Sequence, residues 1–156
     1  MATTKQILKE EFESIMEDLK KKHIELGMKA SGEWLDSLEN TSEGNTGKVI
    51  GFDYTYYLVN GRKPGEFPNI DAIKKWIVDK GIVNRIKGEI SISSLAFLIA
   101  RKIAKEGTKY YQQGGTDLVS AVVTDERIQG IIDRVGAEAT INLTKQIQNE
   151  FQKAVI

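Results

Sequence analysis

The sequence predicts an α+β fold, in which a small antiparallel sheet (a hairpin around residues 35–60) is packed by several helices and followed by a long C-terminal helix. Three observations carry this prediction. Apolar residues recur at three- and four-residue spacing near both ends of the chain, over 4–29 and 125–154. Residues 49–59 alternate between two classes of side chain, the period of a half-buried strand. The segment "SEGNTG" (42–47), rich in residues that accept positive φ, stands where a hairpin would turn.

Along the first helix, Leu8, Phe12, Ile15, Met16, Leu19 and Leu26 form the apolar stripe, and Glu10, Glu11, Glu13, Glu17, Asp18, Lys20, Lys21 and Lys22 fill the other side. Gly27 or Gly32 ends it. Residues 33–41 read either as a last helical turn or as a short strand. In the strand that follows, Ile50, Phe52, Tyr54, Tyr56 and Leu58 share one face, which places them on a core and leaves Tyr57 on the opposite side. "NGRKPG" (60–65) breaks the strand. Asn69 is the expected N-cap of a helix over about 70–80, with Ile70, Ile73, Trp76 and Ile77 as its buried stripe and Gly81 at its C-terminal end.

Residues 82–92 read as a small hairpin or an irregular connection. Ser93 or Ser94 then caps a helix over about 95–106, ending at Gly107. Its first half, "LAFLIA", is apolar all round and predicts the most buried helix of the fold. Gly114 and Gly115 mark a turn, and "DLVSAVV" reads as a second strand or an extended segment. The C-terminal pattern runs through Ile128, Ile132, Val135, Ala139, Leu143, Ile147 and Phe151. Unbroken by Gly130 or Gly136, it would extend for roughly 45 Å, longer than a domain of this size is wide.

A chain of 156 residues is long enough for one domain with a genuine core. No run approaches the roughly 18 apolar residues of a membrane span, and the N-terminus lacks the apolar core of a signal peptide. With no cysteine, disulfides, thiol catalysis and cysteine-ligated metals are excluded, and the chain is expected to be made in the cytoplasm of the producing cell. Net charge is zero but unevenly distributed. Residues 1–61 hold 7 basic and 11 acidic side chains, residues 62–109 hold 11 and 5, and residues 110–156 hold 4 and 6. Chance and solvated faces account for such a distribution, and so does a polar protomer whose basic centre meets an acidic flank of a neighbour or lines a path for DNA. The zero total argues against a dedicated nucleic-acid binder.

Catalytic constellations are not found. His23 with Glu25 matches only a fragment of the zinc-deaminase signature, whose cysteines are missing, so His23 reads as a polar residue on a helix flank. One histidine and no cysteine leave a transition-metal site only carboxylates. The acids of residues 10–18 lie beside lysines on a solvent face. No phosphate-binding loop and no nucleophile–histidine–acid set can be assembled. The expectation is therefore no catalytic residue, no cofactor and no metal.

One arrangement of parts is familiar. "ASGEWLDSL" (30–38), a glycine/asparagine loop and "VIGFDYTYYLVNGRKPG" (49–65) resemble the tail-completion and head–tail joining (neck) proteins of tailed bacteriophages. In that family a "TG-x-L-x-x-S" segment and a "Y-A-x-x-x-E-x-G-T" segment form the two sides of a β-hairpin. The matching positions are Ser31, Gly32, Leu35 and Ser37, then Tyr56, Asn60 and Gly61; Asn60 replaces the family's glutamate and Arg62 its small residue. The resemblance covers about 35 of the 156 residues and implies a single domain, 1–156, with an insertion at about 66–110.

It further implies a structural virion protein at the head–tail junction. Such a protein forms a homo-oligomeric ring, contacts portal and other connector or tail proteins, lets DNA pass non-specifically and has no membrane partner. The expected inter-subunit residues are Tyr57, Arg62, Lys63, Glu66 and Phe151, and the expected DNA-channel contacts are Lys74, Lys75, Arg85 and Lys87. The alternative is a small nucleic-acid-binding module using the basic segment 62–109.

Overall fold

A computed structural model describes residues 2–86, 88 and 90–155 of the chain. In chain order its elements are α1 (Thr4–Glu25), α2 (Glu33–Ser37), β1 (Glu39–Asn40), β2 (Val49–Ile50) and α3 (Thr55–Asn60). Then come α4 (Ile70–Asp79), a 3₁₀ turn (Ile82–Arg85), α5 (Ile92–Glu106), α6 (Lys109–Gln112) and α7 (Asp125–Val155). Among the described residues the protein is mostly helical, with one two-stranded antiparallel sheet and a long C-terminal helix. No helix among them is long and apolar enough to cross a membrane.

The chain divides into two compact units. Residues 1–18, 39–50 and 120–156 form the first; with 7 basic and 12 acidic side chains it carries a net charge of −5. Residues 19–38 and 51–119 form the second, with 15 basic and 10 acidic side chains and a net charge of +5. The uneven charge of the sequence is therefore sorted by folding into an acidic unit and a basic unit.

In the acidic unit α1 starts on a reciprocal cap: Thr3 N–H donates to Gln6 Oε1 at 2.8 Å, and Gln6 N–H donates to Thr3 Oγ1 at 3.2 Å. The hairpin pairs Glu39 with Ile50 and Asn40 with Val49, and its tip closes through the Glu43–Thr46 bridge. It is tied to α1 by Asn40 Nδ2, which donates to Lys9 O at 2.8 Å. Arg127 reaches Asp18 at 2.7 Å, and Arg134 reaches Glu10 and Glu11, each at 2.8 Å. Moving seven residues along α7 moves its partner seven residues back along α1, from Asp18 to Glu11, so the two helices run antiparallel. Ile7, Ile15, Met16 and Val122 are the buried apolar side chains of this unit.

The basic unit is centred on α4 against α5. Asn69 caps α4 by accepting from Ala72 N–H, as expected, and Gly81 follows in the left-handed conformation (φ 74°). α5 begins earlier than expected, because Ser91 rather than Ser93 or Ser94 takes the cap, accepting from Ser94 N–H at 3.1 Å. Ile73 and Ile77 of α4 pack on Ala96 and Ala100 of α5, whose small side chains let the helix axes approach closely. Ile77 and Leu118 are the largest fully buried side chains.

Several expectations are corrected. The strand over 49–59 stops after Ile50, and the hairpin spans only about 39–50. At its end Ser37 Oγ takes the Phe52 N–H, Thr55 Oγ1 donates to Phe52 O at 2.6 Å, and the chain coils into α3. The face expected on a core is consequently at the surface, with Tyr54 41% and Tyr56 63% exposed. Of the two segments that resemble the neck-protein hairpin, 30–38 holds the helix α2, and 49–65 holds β2 and then the helix α3, so the matched positions lie on or beside helices rather than on paired strands. α5 is not buried all round, since Phe97 and Leu98 are half exposed, and neither is Trp76 of the expected α4 stripe. "DLVSAVV" forms consecutive turns rather than a strand, because its buried members, Leu118 and Val122, are four residues apart and not alternating. α7 runs unbroken through Gly130 and Gly136.

Candidate functional site

The stretch 52–68 that holds the interface candidates belongs to the basic unit, and its backbone is anchored at both ends of one turn. Thr116 N–H and Oγ1 donate to Val59 O and Leu58 O, both at 2.7 Å. Arg62 and Thr108 exchange two bonds, Arg62 N–H to Thr108 Oγ1 and Thr108 N–H to Arg62 O, both at 2.9 Å. Gly65 N–H then donates to Ala104 O of α5 at 2.9 Å. Gly61 sits at the crossing with φ 72°. A Cβ there would collide with Tyr111 N and lie 2.8 Å from Thr108 Oγ1, so only glycine meets both the dihedral and the space.

This anchoring presents the side chains outward. Arg62 donates to Glu66 O at 3.4 Å, while Lys63 and Glu66 are exposed at the turn. Phe67 leaves the turn to meet Phe97 of α5, ring centroids 5.9 Å apart. On the other side of the anchor, Phe52, Tyr54, Tyr56 and Tyr57 with Glu33 and Asp53 line an open bay of about 710 Å³. Phe52 and Tyr54 are 5.4 Å apart, and Tyr56 and Tyr57 meet edge to face at 5.5 Å. Tyr57, the one tyrosine expected outside, is thus one of three exposed on this surface.

The expected DNA-channel cations differ among themselves. Lys75 lies between Asp79 at 2.6 Å and Glu33 at 3.1 Å, and its hydrogen bonds to these acids hold the ammonium above its ordinary pKa. Lys74 has Asp71 at 3.8 Å. Arg85 is exposed in the last turn of the 3₁₀ segment, and Lys87 lies outside the described residues. Two of the four are therefore already balanced by carboxylates of the same unit.

Two features escaped sequence reasoning. His23, expected on a helix flank, is 3% exposed and stacks on Trp34, with ring centroids 4.3 Å apart and planes 24° from parallel. Burial, and then the charge of Lys80, lower its pKa to about 4. The second is the outer face of α5. There Phe97 and Leu98 precede Arg101, Lys102 and Lys105, all exposed, and the three cations lack a carboxylate partner among the described residues. Spacing of four and seven residues aligns them on one side of the helix, a signal the sequence held.

Phe151, the remaining interface candidate, is 67% exposed on α7 in the acidic unit. Every residue over 139–154 is exposed, yet Leu143, Ile147 and Phe151 align along it. With Gln146, Glu150 and Ala154 they bound a shallow groove of about 430 Å³. Among the described residues no three His, Asp or Glu side chains gather as a metal ion would require. Comparison with protein-family models, curated proteins and solved structures finds no match.

Proposed function

We propose that this protein is a structural component of the head–tail connector of a tailed bacteriophage, a neck or tail-completion protein that works as a ring between portal and tail. The observation that carries the reading is the outer half of α7. Sixteen consecutive helical residues, 139–154, are all exposed, and they display Leu143, Ile147 and Phe151 to solvent. Fully burying each such side chain is worth about 1.5–3 kcal/mol, so the helix gains most when a second protein covers it. Such a surface is what a part of an assembly presents to its neighbour.

Three further features support the reading. The segments 30–38 and 49–65 resemble the signature of neck proteins in sequence, with α2 and α3 standing where that family has the two sides of a hairpin; Trp34 Nε1–H joins these helices by donating to Thr55 Oγ1 at 2.7 Å. The rigid turn at Arg62–Glu66 and the aromatic bay beside Tyr57 offer contact surfaces distinct from α7. The opposite charges of the two units suit contacts between unlike surfaces, which close into rings when the rotation permits. DNA would cross such a ring without being read; balanced Lys74 and Lys75 fit a passage better than a phosphate clamp.

The reading is tested by removing the gene from the phage that carries it. Lysates should then accumulate DNA-filled heads and free tails that fail to join, with joining restored by adding the purified chain. Normal, infectious particles without the chain would end the proposal.

A further inference from the structure

Two exposed helix faces, one in each unit, are complementary in both shape of pattern and charge. On α5, Phe97 and Leu98 (48% and 50% exposed) are followed by the exposed cations Arg101, Lys102 and Lys105, which have no carboxylate partner among the described residues. On α7, Ile128 and Ile132 (42% and 56% exposed) share a side with Asp125, an acid with no basic partner among the described residues. Leu98 and Lys105 are seven residues apart, and so are Ile132 and Asp125. Seven residues are two helical turns, about 10 Å, so each pair stands on one side of its helix.

We infer that the α5 face of one copy docks antiparallel on the first four turns of α7 of a second copy, a head-to-tail contact repeated around an assembly. In that register Ile132 covers Phe97 and Leu98, Lys105 meets Asp125, and Ile128 lies on the aliphatic stem of Lys102. Gly136 then faces Ser94, so the axes can approach where the side chains are smallest. Antiparallel pairing is the orientation that satisfies both terms: a parallel one would bring the cations of α5 toward Ile132 and leave Asp125 beside Phe97. The occupant is a second copy because the chain holds both halves of the contact, the cations in the unit of charge +5 and the acid in the unit of charge −5. Unlike surfaces in contact can repeat without limit or close on themselves, which is what a ring needs. This inference rests on the connector reading for its biological setting but not for its chemistry.

The chain has no cysteine, so introduced thiols report on this contact alone. The full-length double variant Leu98→Cys/Ile132→Cys, oxidised with copper–phenanthroline at high protein concentration, should give a ladder of covalent multimers. Mixing the two single variants should give mainly the mixed dimer over either like dimer. Charge supplies the second arm: Lys105→Glu and Asp125→Lys should each weaken self-association about fivefold, as expected for an exposed pair, and the two variants mixed should regain it. Neither residue packs in a core, so folding is retained.

No ladder from the double variant, or no recovery on mixing, overturns the inference. So does retention of the wild-type chain on duplex DNA that is lost with Arg101→Glu while the ladder is absent, which would assign the α5 face to a polyanion. A ladder from a chain that is missing from phage particles would uphold this contact and sink the connector reading. A chain found at the neck that never forms the ladder would do the reverse.

Discussion

His23 lies flat against Trp34 with ring centroids 4.3 Å apart, and burial, then the charge of Lys80, lower its pKa to about 4. Its Nδ1 is buried without a hydrogen-bond partner, while Lys80 Nζ donates to Gly27 O and Lys29 O nearby. A folded-state pKa below the ordinary value of about 6.5 means that the unfolded chain takes up a proton which the native one refuses. Stability therefore falls as pH drops through 6.5 and levels off below about 4, a loss of about 3 kcal/mol. Urea unfolding at pH 7.5, 5.5 and 4 measures it. As this is the chain's one histidine, His23→Leu should remove most of the slope between pH 6.5 and 5; equal slopes in both proteins would contradict the account.

Core and surface leucine-like residues should behave oppositely. Ile77 is fully buried against Ala96 and Ala100, so Ile77→Ala should cost about 2–5 kcal/mol in chemical unfolding. Leu143 is 58% exposed, and Leu143→Ala should change the stability of the isolated chain by less than about 0.5 kcal/mol while abolishing head–tail joining in the complementation assay. Loss of stability from Leu143→Ala would mean that α7 is covered by its own chain.

Gly61→Ala places a methyl against Tyr111 N at φ 72°, which no flexible side chain can relieve. A destabilisation of more than about 2 kcal/mol is expected, with increased hydrogen exchange at Thr108 and Thr116, whose amides bond this turn. A near-neutral variant would show that the turn is not clamped as described.

Gly130 is helical and a Cβ there meets nothing, so Gly130→Ala should raise stability by about 0.5–1 kcal/mol through the reduced freedom of the unfolded chain. Thermal unfolding followed by circular dichroism reads this directly. A lower melting temperature would imply that another surface needs the glycine.

Arg127 anchors the start of α7, its guanidinium donating to Asp18 at 2.7 Å, to Ser14 Oγ at 2.9 Å and to Val122 O at 3.4 Å. Arg127→Ala should cost about 1–3 kcal/mol, because it strips a charged donor from three acceptors at once. Hydrogen exchange resolved by mass spectrometry should locate the loss in the first two turns of α7; unchanged protection there would contradict this anchoring.

Much of the helical framework was legible. Caps and glycines punctuate α4 and α5 nearly where the sequence marks them, at Asn69, Gly81 and Gly107. The long pattern from Ile128 to Phe151 is one helix. What misled was alternation in a short window. Phe52, Tyr54, Tyr56 and Leu58 satisfy a period of two, but aromatic Tyr57 occupies the other face, so the pattern never separated inside from outside. Local hydrogen bonds decided it, with Ser37 and Thr55 hydroxyls ending the ladder, and Gly51 lies so close under Leu38 that a Cβ would stand 2.8 Å from its Cδ2. His23 was misplaced for a different reason. Its burial depends on Trp34, eleven residues away and turned back by the loop after α1, which no periodicity records. Phe97 and Leu98 were expected inside because a helix apolar all round is normally buried. They are instead about half exposed at the start of the cationic face of α5.

The connector reading requires that a tailed phage encode this chain, and its most direct test is electron cryomicroscopy of that phage's intact particles, with the chain fused to a small tag at its N-terminus. The account predicts a ring of density between portal and tail that gains tag density once per subunit and into which α7 fits as a rod about 46 Å long. A neck that is complete without the chain, or tag density confined to the capsid shell or the tail tip, would contradict it.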